Sequence, residues 1–155
     1  MSENAFFKSA LSKAMAQCSR REYCKADITN KLFFWGVGES DTEKIINTLC
    51  NENFINESRY ASAFVSDKFK YNKWGKIKIS VHLKTKDISP EIISEALGSI
   101  DNKAYDSLLK VLLSSRRKTI KAKNQYDLKA RLMRYGLSKG FESNLLYDLL
   151  NDLWD

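Results

Sequence analysis

Two stretches of this 155-residue sequence concentrate lysine and arginine, the side chains that most often bind phosphate groups. Residues 68–86 contain seven lysines and no acid, interleaved with Phe69, Tyr71 and Trp74. Residues 110–134 contain nine basic side chains and one aspartate. Such stretches can contact phosphates without reading base sequence, whereas an isolated run of charge is as often just a solvated helix face.

No pattern typical of a catalytic site stands out. The sequence lacks the G-x-x-x-x-G-K-[ST] phosphate loop and the H-E-x-x-H zinc motif, and its one histidine, His82, lies between two aliphatic residues. The three cysteines form no C-x-x-C pair and match no familiar zinc spacing. We therefore predict no enzyme activity, no cofactor and no metal site.

The composition favours a basic helical protein. The net charge is +7, and counts of basic and acidic residues give 0 for residues 1–53 (7 and 7), +3 for 54–100 (8 and 5) and +4 for 101–155 (11 and 7). One proline and six glycines are too few to punctuate an all-β fold. The odd cysteine count fits reduced thiols, and no signal peptide or long apolar run is visible, so we expect a cytoplasmic location without membrane contact.

One template of residues occurs three times along the chain. Its leucines are 51 and 49 residues apart, and each follows an aliphatic residue at i−4, which places both on one helical face: Ile28 and Leu32, Ile79 and Leu83, Leu128 and Leu132. A lead helix precedes each middle helix and a closing helix follows it. The sequence thus predicts three tandem three-helix repeats, at residues 1–53, 54–100 and 101–155. Because such repeats contact mainly their neighbours, we expect an elongated, curved, solenoid-like all-α body.

The predicted helices cover about 4–17, 20–35, 40–51, 57–71, 74–86, 90–98, 101–118, 121–135 and 139–154. The middle helices are predicted to end at Gly36, Asp87 and Gly136. The residues predicted to open helices are Asn56, before the lead helix of the second repeat, and Ser89 and Ser138, before the closing helices of the second and third repeats.

Residues 77–83, I-K-I-S-V-H-L, alternate apolar and polar side chains as a half-buried strand does. The same residues also place Ile79 and Leu83 at helical spacing, and their counterparts in the other repeats are helical in pattern. The repeat therefore favours a helix here over local β propensity.

The second and third repeats carry the candidate binding residues. Because stacked repeats tend to place equivalent helices along one surface, two basic clusters in neighbouring repeats predict a binding face. This predicted basic face comprises Lys73, Lys76, Lys78, Lys84, Arg116, Arg117, Lys118, Lys121, Lys123, Arg131 and Arg134. Trp74 is the candidate for an exposed stacking residue, with a buried role as the alternative.

The apolar stripe of the C-terminal helix is predicted to pack within its own repeat, so we expect a monomer, with self-association as the alternative. The stripe comprises Phe141, Leu145, Leu146, Leu149, Leu150, Leu153 and Trp154.

Five runs of residues carry a family resemblance: SRRE at 19–22, I-x-x-x-L-x-x-x-G-V at 28–37, I-I-x-x-L at 45–49, FINESRYASAFV at 54–65 and WGKIKISVHLKTKDI at 74–88. In this order they resemble the RecX regulatory proteins, and the match extends through the weaker third repeat. Asn56 and Glu57 stand where the family commonly has two acids, and Asp87 where it commonly has glycine.

The resemblance implies an all-helical, cytoplasmic, non-catalytic protein that lodges along the groove of a RecA recombinase filament on DNA. Binding there would inhibit the ATPase and strand-exchange activities of the recombinase, and the protein could also contact the DNA phosphate backbone. The alternatives are a basic helical-repeat DNA-binding protein without a recombinase partner, and a scaffold whose charge only keeps it in solution.

Overall fold

Helices make up the regular structure of the computed structural model, which describes residues 3–154 and the side chains of residues 4–152. Within that range there are nine α-helices and no strand, which confirms the predicted all-α fold. A π-helical turn, Lys68–Asn72, extends the fourth helix. The helices are α1 (Glu3–Arg20), α2 (Lys25–Phe34), α3 (Glu39–Asn51), α4 (Glu57–Asp67), α5 (Lys76–Thr85), α6 (Pro90–Gly98), α7 (Asn102–Arg117), α8 (Gln125–Ser138) and α9 (Ser143–Trp154).

The segment whose pattern alternates like a strand is helix α5, as the repeat predicts. Ile79 and Leu83 are both fully buried, whereas Ile77 and Val81 are about half exposed at 48% and 52%. The i, i+4 pair therefore forms the buried face of this helix, and the other two aliphatic residues lie outside it. Burial of Ile79 and Leu83 on one face of the helix thus outweighs the β propensity of these residues.

The chain divides into two compact units. Unit 1 comprises Met1–Ala63 and Leu83–Ile93, and unit 2 comprises Phe64–His82 and Ser94–Asp155. Each unit thus contains part of the second predicted repeat.

The core of unit 1 is formed by small and aliphatic side chains of its first three helices and of the turns that follow α2 and α3. Ala10 and Ala14 of α1 give space for the template residues of α2 and α3, and the core comprises Ala10, Ala14, Ile28, Leu32, Val37, Ile45, Leu49 and Ile55. Each fully buried leucine or isoleucine contributes about 1.5–3 kcal/mol to stability. The Asp27 carboxylate of α2 also forms an ion pair with the Lys86 ammonium, directly after α5, with 2.7 Å between the oxygen and the nitrogen.

In unit 2, the first turn of α5 lies against the turn that follows α8. The Gly75 N–H donates to the Lys139 carbonyl at 2.7 Å, and the Ile77 N–H donates to the Gly140 carbonyl at 3.0 Å. A helix cannot satisfy its own first N–H groups, so these carbonyls supply their partners. A Cβ on Gly75 would overlap the Gly140 carbonyl group and the Phe141 nitrogen, which requires glycine at this position.

The ends of the middle helices match the prediction in two repeats and differ in the third. Gly36 and Asp87 have the expected positive φ values, +85° and +58°. Gly136 does not end its helix, because α8 continues to Ser138 and Gly140 has the positive φ, +93°. Gly136 is instead buried against Leu146, whose side chain occupies the space that a Cβ would need.

Two of the three predicted helix-opening residues are confirmed. The side-chain oxygens of Asn56 and Ser89 accept from the N–H groups of Arg59 and Ile92, at 3.0 and 3.3 Å. The prediction for Ser138 was wrong, because this serine is the last residue of α8 and its hydroxyl donates backwards to the Tyr135 carbonyl.

The C-terminal apolar stripe is buried over most of the described residues. Phe141, Leu146, Leu149 and Leu150 are at most 7% exposed. The side chains of Leu153 and Trp154 lie outside the part of the chain that the structure describes. Among residues 3–154, no helix is both long and apolar enough to cross a bilayer.

The contact between Gly75 and the turn at Gly140 predicts a strong effect of one methyl group. Gly75→Ala should lower the free energy of unfolding by at least about 2 kcal/mol, because the backbones must separate to admit a Cβ. Urea denaturation followed by circular dichroism measures this. The control is Gly98→Ala, where nothing lies within 4 Å, and equal stability of the two variants would contradict the prediction.

The left-handed conformation of Asp87 predicts a stabilising substitution. Asp87→Gly should raise the free energy of unfolding by up to about 1 kcal/mol, because glycine adopts φ +58° without strain. Asp87→Ala keeps the strained Cβ and removes the carboxylate, so it should give no gain. A thermal melt in which alanine stabilises as much as glycine would show that the charge matters, not the backbone.

Candidate polyanion-binding surface

A cluster of lysines surrounds Trp74 in unit 2. The Lys68 and Lys78 ammonium nitrogens lie 5.2 and 4.6 Å from the centroid of the indole ring, and the His82 ring centroid lies 4.6 Å away. Trp74 is half-buried beneath these groups. The indole therefore holds cations in place more than it offers an open face for stacking.

Three further contacts fix the ammonium groups of this cluster, and each joins an amine to a backbone carbonyl. The Lys139 amine donates to the Asn72 carbonyl at 3.0 Å, the Lys78 amine to the Ser138 carbonyl at 3.5 Å and the Lys73 amine to the Lys70 carbonyl at 3.5 Å. Lys73 itself has φ +58°, which turns the chain from the π-helical segment into α5. We call Lys68, Lys73, Lys78 and Lys139 the lysine cluster.

The lysine cluster is electrostatically crowded. Burial, followed by the positive charges of Lys78 and Lys73, lowers the pKa of the Lys139 ammonium from its usual value. The Asp67 carboxylate lies 3.9 Å from the Lys68 ammonium and offsets part of the charge there. A bound anion would relieve the repulsion that remains among Lys73, Lys78 and Lys139.

Sequence reasoning missed Lys139. It lies outside both basic stretches, and the helix end predicted at Gly136 placed it at the start of the next helix. The signal that could have found it is Gly140, because a glycine with positive φ commonly follows the last turn of a helix and cations favour that turn.

A second basic region lies between the end of α7 and the outer face of α8. Arg116, Arg131 and Arg134 line one depression together with Ile120, Tyr135 and Ser138. Ser138 connects this region to the lysine cluster, because its carbonyl accepts from the Lys78 amine. Arg117 lines a neighbouring depression with Ile120, Ala122, Asn124, Gln125 and Leu128.

The connection from α7 to α8 adds three exposed lysines, Lys118, Lys121 and Lys123. Asn124 caps α8 by accepting from the Asp127 N–H at 2.8 Å, and the Lys123 N–H donates to the Asp127 carboxylate at 3.1 Å. These two bonds fix the start of α8. The lysines before it lie on a short segment anchored at both ends by helices.

The remaining members of the predicted basic face, Lys76 and Lys84, lie apart from these clusters. Lys76 is half-buried, with its amine 4.7 Å from the Tyr105 ring centroid. Lys84 is exposed but belongs to unit 1. The structure thus brings together Lys73 with Lys78, and Arg116 with Arg131 and Arg134.

Tyr105 anchors the first turn of α5 from within unit 2. It is 3% exposed, and its hydroxyl accepts from the Lys76 N–H at 2.9 Å and donates to the Glu142 carboxylate. Its ring lies 5.1 Å from that of Phe141. Burial and then the bond to Glu142 raise the tyrosine pKa, so the hydroxyl keeps its proton at neutral pH.

The cysteines lie in unit 1 and carry free thiols. Cys24 is fully buried, and burial raises its pKa to about 11. Within the described residues, no group of three or more His, Cys, Asp or Glu side chains is placed to hold a metal ion.

Comparison with known proteins identifies the family of this chain. A family model described as the second three-helix domain of RecX matches residues 56–97. The regulatory protein RecX of Clostridium botulinum (strain Eklund 17B, type B) is 31% identical over 143 residues, which cover 90% of this chain and 66% of the relative. The chain belongs to the RecX family. It spans about two thirds of the length of this RecX relative.

Solved RecX structures share the fold. A crystal structure of a regulatory protein RecX matches with a TM-score of 0.86 at 23% identity, over 94% of this chain and 71% of that one. RecX from Lactobacillus salivarius matches with a TM-score of 0.82 at 20% identity, over 95% of this chain and 96% of that one. The all-α fold of this RecX-family chain is therefore the fold of other RecX proteins.

The Tyr105 hydroxyl predicts a measurable contribution to stability. Tyr105→Phe should lower the free energy of unfolding by about 1–2 kcal/mol, because the Lys76 N–H and the Glu142 carboxylate each lose a buried partner. Chemical denaturation measures the loss. Tyr71→Phe is the control, since Tyr71 is 78% exposed, and a loss no larger than that of the control would show that the hydroxyl contributes nothing.

Proposed function

We propose that this protein is a non-enzymatic regulator that binds a RecA recombinase filament on DNA and inhibits its ATPase and strand-exchange activities. Membership of the RecX family supports the choice of partner. The lysine cluster, in which Lys73, Lys78 and Lys139 crowd positive charge together, supports binding to an acidic filament surface or to DNA phosphate.

The fixed orientation of the lysine cluster supports a defined contact surface. Its ammonium groups are held by backbone carbonyls and by the Trp74 ring, so less side-chain entropy is lost when a partner binds. The cluster should also raise the rate of association with a polyanion at low salt. Binding would then weaken as salt concentration rises.

The first experiment measures the DNA-dependent ATPase rate of the cognate RecA recombinase while this protein is added in amounts below the concentration of DNA sites. Inhibition well below one molecule per recombinase is the expected result, because a bound regulator affects the filament and not only the DNA it covers. A folded protein without effect would overturn the recombinase partner and favour the alternative of a basic DNA-binding repeat protein.

The same assay tests the lysine cluster. Lys73→Gln, Lys78→Gln and Lys139→Gln together should raise the concentration for half-inhibition by about tenfold or more, because three favourable charge contacts are lost. The control is Lys8→Gln, Lys44→Gln and Lys103→Gln, which removes the same charge from exposed positions outside the cluster. Equal effects of the two triple variants would mean that only net charge matters.

A further inference from the structure

The arginine-lined depression of unit 2 has a composition unlike a solvated helix face. Its six described lining residues include three arginines, one tyrosine and no acid. All three arginines are exposed, so their guanidinium groups are accessible to a ligand. We call this site, formed by Arg116, Ile120, Arg131, Arg134, Tyr135 and Ser138, the arginine depression.

Contacts on the protein side orient two of its guanidinium groups. The Arg131 Nε donates to the Asp127 carboxylate at 3.0 Å, and this contact uses only the Nε edge of the fork. The Arg116 guanidinium lies over the Tyr135 ring, 5.2 Å from its centroid. Asp127 remains ionised, because the Lys123 N–H and then Arg131 lower its pKa. Arg131 and Arg134 are three positions apart on α8, and so neighbours on the helix surface.

This arrangement matches a phosphate group. The planar fork of a guanidinium donates two parallel hydrogen bonds to phosphate oxygens, which a lysine ammonium cannot do. Exposed Lys118, Lys121 and Lys123 continue the positive charge along the α7–α8 connection. A row of cations beside the depression fits a chain of phosphates better than one isolated anion.

The aromatic and apolar part of the depression identifies the kind of polymer. Tyr135 and Ile120 lie beside the arginines, and the guanidinium plane of Arg116 is itself a surface on which a base can stack. A base in a duplex is covered by its neighbours and its partner, whereas an unpaired base can reach such a surface. The combination of phosphate and base contacts favours a single strand.

We propose that the arginine depression binds single-stranded nucleic acid, with Arg131 and Arg134 on a backbone phosphate and the Arg116–Tyr135 pair against an adjacent base. The inference rests on the proposed function and deepens it, since it names the part of unit 2 that meets the DNA strand within a recombinase filament.

The test keeps charge constant and changes only the guanidinium groups. In Arg131→Lys/Arg134→Lys, affinity for a labelled single-stranded oligonucleotide, measured by fluorescence anisotropy without recombinase, should fall by about three- to tenfold. Arg20→Lys/Arg21→Lys in unit 1 is the control and should change affinity by less than about twofold. Affinity of the test variant equal to that of the control would overturn the guanidinium site.

Salt dependence gives a second readout. In Arg131→Ala/Arg134→Ala, the slope of log affinity against log salt should become shallower by about 0.7, since the two arginines share one phosphate and each phosphate contact on a single strand contributes about 0.7. The lysine variant should keep the slope of the unmodified protein. An alanine variant that is folded by circular dichroism and keeps both slope and affinity would place the contact elsewhere.

Competition distinguishes the single strand from other anions. Unlabelled single strand should displace the probe at lower nucleotide concentration than duplex of the same sequence, and inorganic phosphate and polyglutamate should displace it poorly. If duplex competes as well as single strand, the proposed contact with a base is wrong. If polyglutamate competes as well as single strand, the site binds polyanions in general and the proposed specificity for nucleic acid is wrong. Arginine-dependent oligonucleotide binding without inhibition of the recombinase would overturn the proposed function and leave this site intact.

Discussion

Gly75 and Gly140 allow two backbone segments of unit 2 to approach more closely than any side chain would permit. Two hydrogen bonds between the first turn of α5 and the turn after α8 form at this contact. They satisfy N–H groups that α5 cannot satisfy itself and join the positive end of one helix dipole to the negative end of another. The same approach brings Lys73 and Lys78 near Lys139, so the lysine cluster depends on two residues that carry no charge and no side chain.

Much of the fold follows from the sequence because helical spacing and burial agree along most of the chain. Ile28 with Leu32 and Ile79 with Leu83 are fully buried, and the repeat identified α5 as a helix although its own pattern resembles a strand. The end of α8 could not be predicted from the sequence. A glycine at the expected position can end a helix, or it can give space for a side chain of a neighbouring helix. At Gly136 the neighbour is Leu146, more distant in sequence than any local pattern reaches.

The candidate site could be predicted as residue types but not as groups in contact. Charge counting found Lys73, Lys78 and the three arginines of the depression, because basic residues are concentrated in those stretches. It could not show that Lys76 lies against Tyr105 or that Lys139 joins the cluster, since both depend on how α5 meets α7 and α8. The sequence left both an exposed and a buried position open for Trp74. Its ring is partly buried beneath two lysines and His82, so its position lies between these two.

The bonds that form the lysine cluster join residues far apart in the chain: Lys78 and Ser138 are 60 residues apart, and Asn72 and Lys139 are 67 apart. Loops of this length close late, because their entropic cost precedes any gain from contact. On a ribosome, α5 must leave the exit tunnel with its first N–H groups still hydrated and wait while α6, α7 and α8 are synthesised. A nascent chain therefore gains its assembled lysine cluster only after α8 and the turn at Gly140 have been synthesised, so no shorter intermediate of translation presents these ammonium groups together.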